Sequence, residues 1–267
     1  MDFSRQQLLP KNIKQEGPGV AWLDWNGDGW DDIAIATGSG GRLGLFLSDS
    51  KGGFEQAAVP SLGQVSPRDQ AAILGLDSFA KGLLVLQSNY EDGLAFGPAL
   101  QLHGTTGAPR KLLDAGTVSY SVLCAADYDG DGDLDLATVV SQDEEEVWVF
   151  ENDGQGNFTP HMIYFTHNYD VGGGGLVASD LDQDGDLDFL LSQGDNLEFG
   201  HGWPQPYHGC VWIRNDGNWN FSAKQIGALG GTYATNAGDL DQDGDLDLVM
   251  VSMSNDWTDS SHPTIAW

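Results

Sequence analysis

The nine residues DLDQDGDLD occupy positions 180–188 and recur unchanged at 239–247. Two relatives stand earlier in the chain, DWNGDGWDD from Asp24 and DYDGDGDLD from Asp127. Carboxylates packed this closely repel one another unless a cation lies among them. A weaker relative, LDSFAKGLLVLQ, carries Asp77 at the matching place. With it, the starts lie 53, 50, 53 and 59 residues apart, so five units of about 53 residues account for the 267-residue chain. Self-similarity at such a period marks a repeat architecture, in which each unit is one supersecondary element.

Every unit reads alike. A short apolar segment (GVAWL, SVLCAA, GLVAS) leads into the acidic loop, and a run rich in strand formers follows it (DIAIAT, LLVLQS, DLATVV, DFLLSQ, DLVMVS). A third segment (RLGLFL, VWVF, CVWIR) passes through a turn such as Asn152-Asp153-Gly154 or Asn215-Asp216-Gly217 into a fourth, NFTPHMIY or NFSAKQIG. Asn-Asp-Gly between apolar runs is a hairpin signal. No segment sustains helical spacing for more than two turns. The pattern predicts an all-β fold, a β-propeller of four-stranded antiparallel blades in one domain over 1–267. The blades fall at approximately 19–60, 69–104, 120–167, 173–228, and 231–267 together with 1–8. Phe3 to Leu8 resembles the fourth strand beginning at Phe221, and Pro263 to Trp267 resembles a third strand. Pairing of these N- and C-terminal strands closes a ring of five blades. A fragment of a larger ring is the alternative.

A hard cation such as calcium takes six to eight oxygen ligands at about 2.3–2.6 Å. Oxygens at positions 1, 3 and 5 of a tight loop can face one centre, Gly at position 6 permits the turn, position 7 offers its carbonyl, and an acid at position 9 completes the shell. The predicted ligands are Asp24, Asn26, Asp28, Trp30 (carbonyl) and Asp32; Asp127, Asp129, Asp131, Asp133 (carbonyl) and Asp135; Asp180, Asp182, Asp184, Asp186 (carbonyl) and Asp188; and Asp239, Asp241, Asp243, Asp245 (carbonyl) and Asp247. About four Ca2+ sites are therefore expected. An EF-hand begins similarly but needs Glu at position 12, where this chain has Ile35, Thr138, Leu191 or Met250. The unit at Asp77 has Phe79 and Lys81 in ligand places, and no metal is predicted there.

These four DxDxDGxxD or DxNxDGxxD loops, each between two apolar strands, resemble the FG-GAP/VCBS repeats, the calcium-binding blades also seen in the integrin α-subunit propeller. The resemblance spans essentially the whole chain, with the motif lost from the second unit. It implies that each loop joins strands one and two of a blade and that calcium mainly stabilises the fold. Many members of the family have seven blades, so a ring of five departs from that pattern.

Charge narrows the partners. Lys and Arg total 11 against 40 Asp and Glu, a net charge of −29, which disfavours nucleic acid and anionic membranes. No stretch approaches 18 apolar residues, so no transmembrane helix is expected. The opening MDFSRQQLLPKNIKQ lacks the apolar core of a signal peptide. Extracellular calcium modules bind at roughly 0.1–1 mM, which points to an extracellular, cell-surface or periplasmic location. Cys124 and Cys210 stand in separate apolar segments and read as buried small residues rather than a disulfide.

In an antiparallel blade the 1–2 loops leave one face and the 2–3 and 4–1 loops the other, so partners are expected opposite the calcium loops. The variable 2–3 loops, 87–93, 196–209 and 254–263, carry aromatic residues beside amides and carboxylates, a combination suited to carbohydrate rings or an extended peptide. The candidate ligand-binding residues are Tyr90, His201, Trp203, Tyr207, His208, Trp257 and His262; Arg68, Asp69, His167, Asn168 and Tyr169 share that face. The expected function is a calcium-stabilised binding or adhesion module for glycan or protein, acting as a monomer. One alternative is a polysaccharide lyase or sugar dehydratase using Glu198, His201 and His208. Another is a structural segment of a larger exported protein with no ligand of its own. No nucleophile elbow or phosphate loop appears.

Overall fold

The computed structural model describes residues 19–76, 81–88, 97–114, 120–140, 145–168, 171–194, 205–253 and 263–267. The chain falls into two compact units, Met1–Leu123 with Asp153–Phe158, and Cys124–Asn152 with Thr159–Trp267. The first unit holds two sheets: β1 (Val20–Leu23), β2 (Asp32–Ile35), β3 (Gly44–Ser48) and β4 (Phe54–Gln56), then β5 (Gln70–Leu76), β6 (Gly82–Gln87), β7 (Pro98–Gly104) and β8 (Arg110–Asp114). The next sheet comprises β9 (Tyr120–Ala126), β10 (Asp135–Val140), β11 (Glu145–Asn152) and β12 (Phe158–Thr166). The second unit continues with β13 (Gly173–Ser179), β14 (Asp188–Gln193), β15 (Gly209–Asn215) and β16 (Phe221–Ala228), and with a sheet of β17 (Thr232–Gly238), β18 (Asp247–Ser252) and β19 (Ile265–Ala266). Strands follow one another in chain order within each sheet, and no helix occurs among the described residues. The proposed fourth strand for the last sheet, residues 1–8, lies outside the described residues.

One detail differs from the sequence reading. The second sheet continues past the expected end at 104, through β8, which pairs antiparallel with β7. The β8 sequence, Arg110-Lys-Leu-Leu-Asp114, opens on two cations and carries no alternation, so periodicity does not reveal it.

In three of the five sheets the second strand carries the core. β6, β10 and β14 are buried along their entire length. A strand covered on both faces reads as a continuous apolar run rather than an alternating one. Outer strands show the opposite: β4 is wholly exposed, and most of β16 is half-buried or exposed. Sheets meet through their inner strands, β1 against β5 in the first unit and β13 against β17 in the second. At the first of these contacts, a Cβ on Gly75 would lie 2.8 Å from Leu23 Cβ and 3.0 Å from the Trp22 carbonyl oxygen, so only glycine lets the strands approach. Cys124 and Cys210 are both free thiols.

Candidate metal centres

The acidic loops connect β1 to β2, β9 to β10, β13 to β14 and β17 to β18. Their backbone is set by two left-handed residues. Position 6 is glycine each time, with φ of 88° at Gly29, 94° at Gly132, 101° at Gly185 and 98° at Gly244. This is the region that glycine adopts without steric cost. Position 4 is also left-handed, at Gly27, Gly130, Gln183 and Gln242 (φ 81°, 79°, 59° and 65°).

That path turns backbone N–H groups onto the carboxylates. The position-1 aspartate accepts the N–H of position 6, from Gly29 to Asp24 at 2.9 Å, Gly132 to Asp127 at 2.9 Å, Gly185 to Asp180 at 3.1 Å and Gly244 to Asp239 at 3.2 Å. The position-5 aspartate accepts the N–H of position 7: Trp30 onto Asp28, Asp133 onto Asp131, Asp186 onto Asp184, and Asp245 onto Asp243. The Gly29 N–H, with help from Gly27 and Asp28, holds the Asp24 carboxyl below its ordinary pKa.

Three of the four loops gather carboxylates. Asp127, Asp129 and Asp131 each offer an oxygen within 4.8 Å of the other two, as do Asp180, Asp182 and Asp184, and Asp239, Asp241 and Asp247. In the first loop Asn26 takes position 3, its oxygen accepting the Asp28 N–H at 2.8 Å and its amide donating to Asp28 at 2.9 Å. An all-oxygen donor set around a glycine turn suits a hard cation such as calcium. Burial and the neighbouring carboxylates of Asp131, Asp127 and Glu151 push the Asp129 pKa up, the mark of a site short of positive charge.

The position-9 aspartates do more than the sequence indicated. Asp32, Asp135 and Asp188 are fully buried. One oxygen of each accepts the N–H of position 2: Trp25 to Asp32 at 3.0 Å, Tyr128 to Asp135 at 3.0 Å and Leu181 to Asp188 at 3.1 Å. The other accepts from the end of the third strand: Ser48 to Asp32 at 2.8 Å, Asn152 to Asp135 at 2.7 Å and Asn215 to Asp188 at 2.8 Å. Asp247 likewise accepts from Leu240 at 2.9 Å. Each buried carboxylate thus fastens the first and third strands to the second. Burial pushes the Asp135 carboxyl up to about 6, against the pull of the Asn152 and Tyr128 donors.

The surroundings of the loops are not equivalent, and the sequence pattern did not reveal this. Arg214 sits on the third loop, its Nε 2.9 Å from Asp182 and 3.0 Å from Asp216. The residue before Asn152 is Glu151, held by His161 at 2.8 Å, whereas the residue before Asn215 is Arg214. One strand position therefore carries a negative charge beside the second loop and a positive one beside the third. Lys81, from the unit without the motif, lies near Gly27 and adds its charge to the first loop. Asn215 and Gln183 link neighbouring loops, donating to the Tyr128 carbonyl at 3.0 Å and the Gly244 carbonyl at 2.9 Å.

Of the candidate ligand-binding residues, Tyr90, His201, Trp203, Trp257 and His262 lie outside the described residues, as do Asp77, Phe79, Tyr169 and Glu198. Tyr207 is half-buried, with its ring edge-on to His208 at 5.3 Å. His208 is a correction: it is 1% exposed and so is not presented on a loop surface. Its Nδ1 accepts the Gly231 N–H at 3.1 Å, and its carbonyl accepts that of Leu229 at 3.3 Å. It secures the segment that leads into β17; its partners in the acid/base cluster, Glu198 and His201, lie outside the described residues.

Residues 127–191 and 207–250 match the FG-GAP-like repeat family. No curated protein matches the chain. Among solved structures it is similar to a protein of Agrocybe aegerita whose structure is described as the basis of specific recognition of non-reducing terminal N-acetylglucosamine by a lectin (TM-score 0.59, 18% identity). The likeness covers 88% of this chain and 61% of that one, and at this identity it shows a common fold.

Proposed function

We propose that this chain, which carries FG-GAP-like repeats, is a calcium-stabilised binding module that recognises glycan or protein through the face opposite its acidic loops. The observation that carries the calcium reading is the gathering of three aspartate trios, each with oxygens within 4.8 Å, on glycine-turned loops of one spacing. Asp24 and Asp28 with the neutral Asn26 oxygen make a fourth, less charged candidate. Four bound ions would bring the net charge from −29 to about −21 and relieve repulsion where it is densest. Ions that bind only the folded chain stabilise it by mass action.

The five sheets support a five-bladed ring in which residues 1–8 pair with the C-terminal strand. The lectin among its structural neighbours supports glycan as the ligand. Sites of this affinity fill where calcium is near millimolar, so the working location is extracellular, at a cell surface or periplasmic.

Calcium titrated into chelator-treated protein by calorimetry, with thermal unfolding followed in parallel, tests the first part. About four sites and a large rise in Tm are expected; binding without stabilisation would sink the structural role. A glycan array and protein pull-downs with calcium-loaded chain test the second part, and blanks in both would refute a binding module.

A further inference from the structure

Within the first unit, the loop from β2 to β3, the connection from β4 to β5 and strand β7 enclose a cavity of about 220 Å³. Its polar lining consists of Gln64, Ser66, Gln70, Gln87, Gln101 and His103. None of these bears a fixed charge. Leu43, Leu62 and Val65 supply apolar surface beside them.

The polar groups are unevenly satisfied. Gln70 accepts the Thr37 N–H at 2.9 Å, and Ser66 donates to the Arg68 carbonyl at 2.6 Å, so both are fixed by the fold. Gln87 donates to Gln101 Oε1 at 2.7 Å, which leaves its own Oε1 buried with no partner. His103 is 6% exposed, and its ring nitrogens make no well-formed hydrogen bond, only a loose contact with the Ser61 backbone. Burial holds its pKa below the ordinary histidine value, partly offset by the Ser61 backbone, so the ring is neutral near pH 7. A neutral imidazole offers one donor and one acceptor. Buried polar groups without full hydrogen bonding are costly for folding. Gln87 Oε1 and the His103 ring beside one cavity call for a ligand that satisfies them.

The chemistry of that ligand follows. It must donate to Gln87 Oε1 and to one nitrogen of His103, and accept from the other. Hydroxyl groups do both. An anion would find no Lys or Arg among the described lining residues and would meet the field of a chain with net charge −29. A cation would face an imidazole N–H. The volume is below the roughly 300–1,000 Å³ of sites for drug-sized ligands, leaving room for one small ring. From these constraints we infer that the cavity beside His103 and Gln87 is a binding site for a single neutral sugar ring. The inference rests on the glycan reading above and gives it a place in the chain.

The test is NMR of the calcium-loaded full chain, titrated with glucose, galactose, mannose, N-acetylglucosamine and N-acetylgalactosamine, with N-acetylneuraminic acid as the charged control. At least one neutral sugar shifts the amide resonances of Ser66, Gln87 and Gln101, and the charged sugar leaves them in place. His103→Leu and Val65→Trp each weaken that binding at least tenfold. Val65 is 51% exposed, so its substitution obstructs the cavity mouth without entering the core. His103→Leu removes two poorly satisfied nitrogens and leaves Tm unchanged or raised, so its loss of binding is not loss of fold. A sugar or oligosaccharide that binds with shifts elsewhere, or binds both variants as it binds the parent, overturns the pocket and leaves glycan binding standing. A blank across these sugars and an array of neutral oligosaccharides overturns both.

Discussion

At the scale of single residues, the position-9 aspartates combine two roles that the sequence shows as one. Their spacing marks them as ligands, while their burial and paired backbone donors make them fasteners of the sheet. Asp188→Ala would leave the N–H groups of Leu181 and Asn215 without an acceptor, at roughly 1–3 kcal/mol each. Chemical denaturation in chelator should therefore show a loss of about 2–6 kcal/mol even with no metal present. A variant that matched the parent in chelator would confine Asp188 to metal binding. His103 gives a second prediction, on pH. Its folded pKa lies below the unfolded value, so its contribution is complete above about pH 6.5 and is lost as pH falls through the lowered pKa. Subtracting the stability-versus-pH curve of His103→Leu from that of the parent should isolate a decline below about pH 6.5.

At the scale of elements, the third strand tunes the loop it borders. Glu151 adds a carboxylate beside the second loop, while the Arg214 guanidinium already occupies the third. The second loop should bind calcium more tightly than the third. Arg214→Ala should raise third-loop affinity several-fold and Glu151→Gln should lower that of the second, read from site-resolved calcium titrations by NMR. Equal affinities in the parent would refute the ranking. The elements themselves were legible to different degrees. β6, β10 and β14 stand out because strands covered on both faces are continuously apolar, and the loops because alternating aspartates have few other uses. β8 was missed because its outer position asks little of its side chains. Arg214 and Glu151 were missed because only the pairing of β14 with β15, and of β10 with β11, brings their strand ends to the loops. His103 reads as one residue of an apolar strand, and its poorly satisfied nitrogens are visible only with the neighbouring loops in place.

At the scale of the whole molecule, the proposed calcium sites and ring closure carry predictions for stability. At tenfold excess over Kd, each site contributes roughly 1.4 kcal/mol, and four together about 6 kcal/mol. Chelation should lower Tm by about 10–20 °C for a chain of this size. On the proposed closure, in which residues 1–8 cover the edge of the last sheet, deleting them should be as damaging. Scanning calorimetry of the deletion variant checks this, and an unchanged Tm would refute closure by that strand. Asp32, Asp135 and Asp188 hold three strands together through the protein's own donors. The second repeat does without both triad and fastener: it has no aspartate triad and Val85 stands at position 9, yet β5 to β8 pair in order through a continuously buried β6. A repeat without the aspartate triad can serve its neighbour instead: Lys81 brings a positive charge beside Gly27 of the adjacent acidic turn.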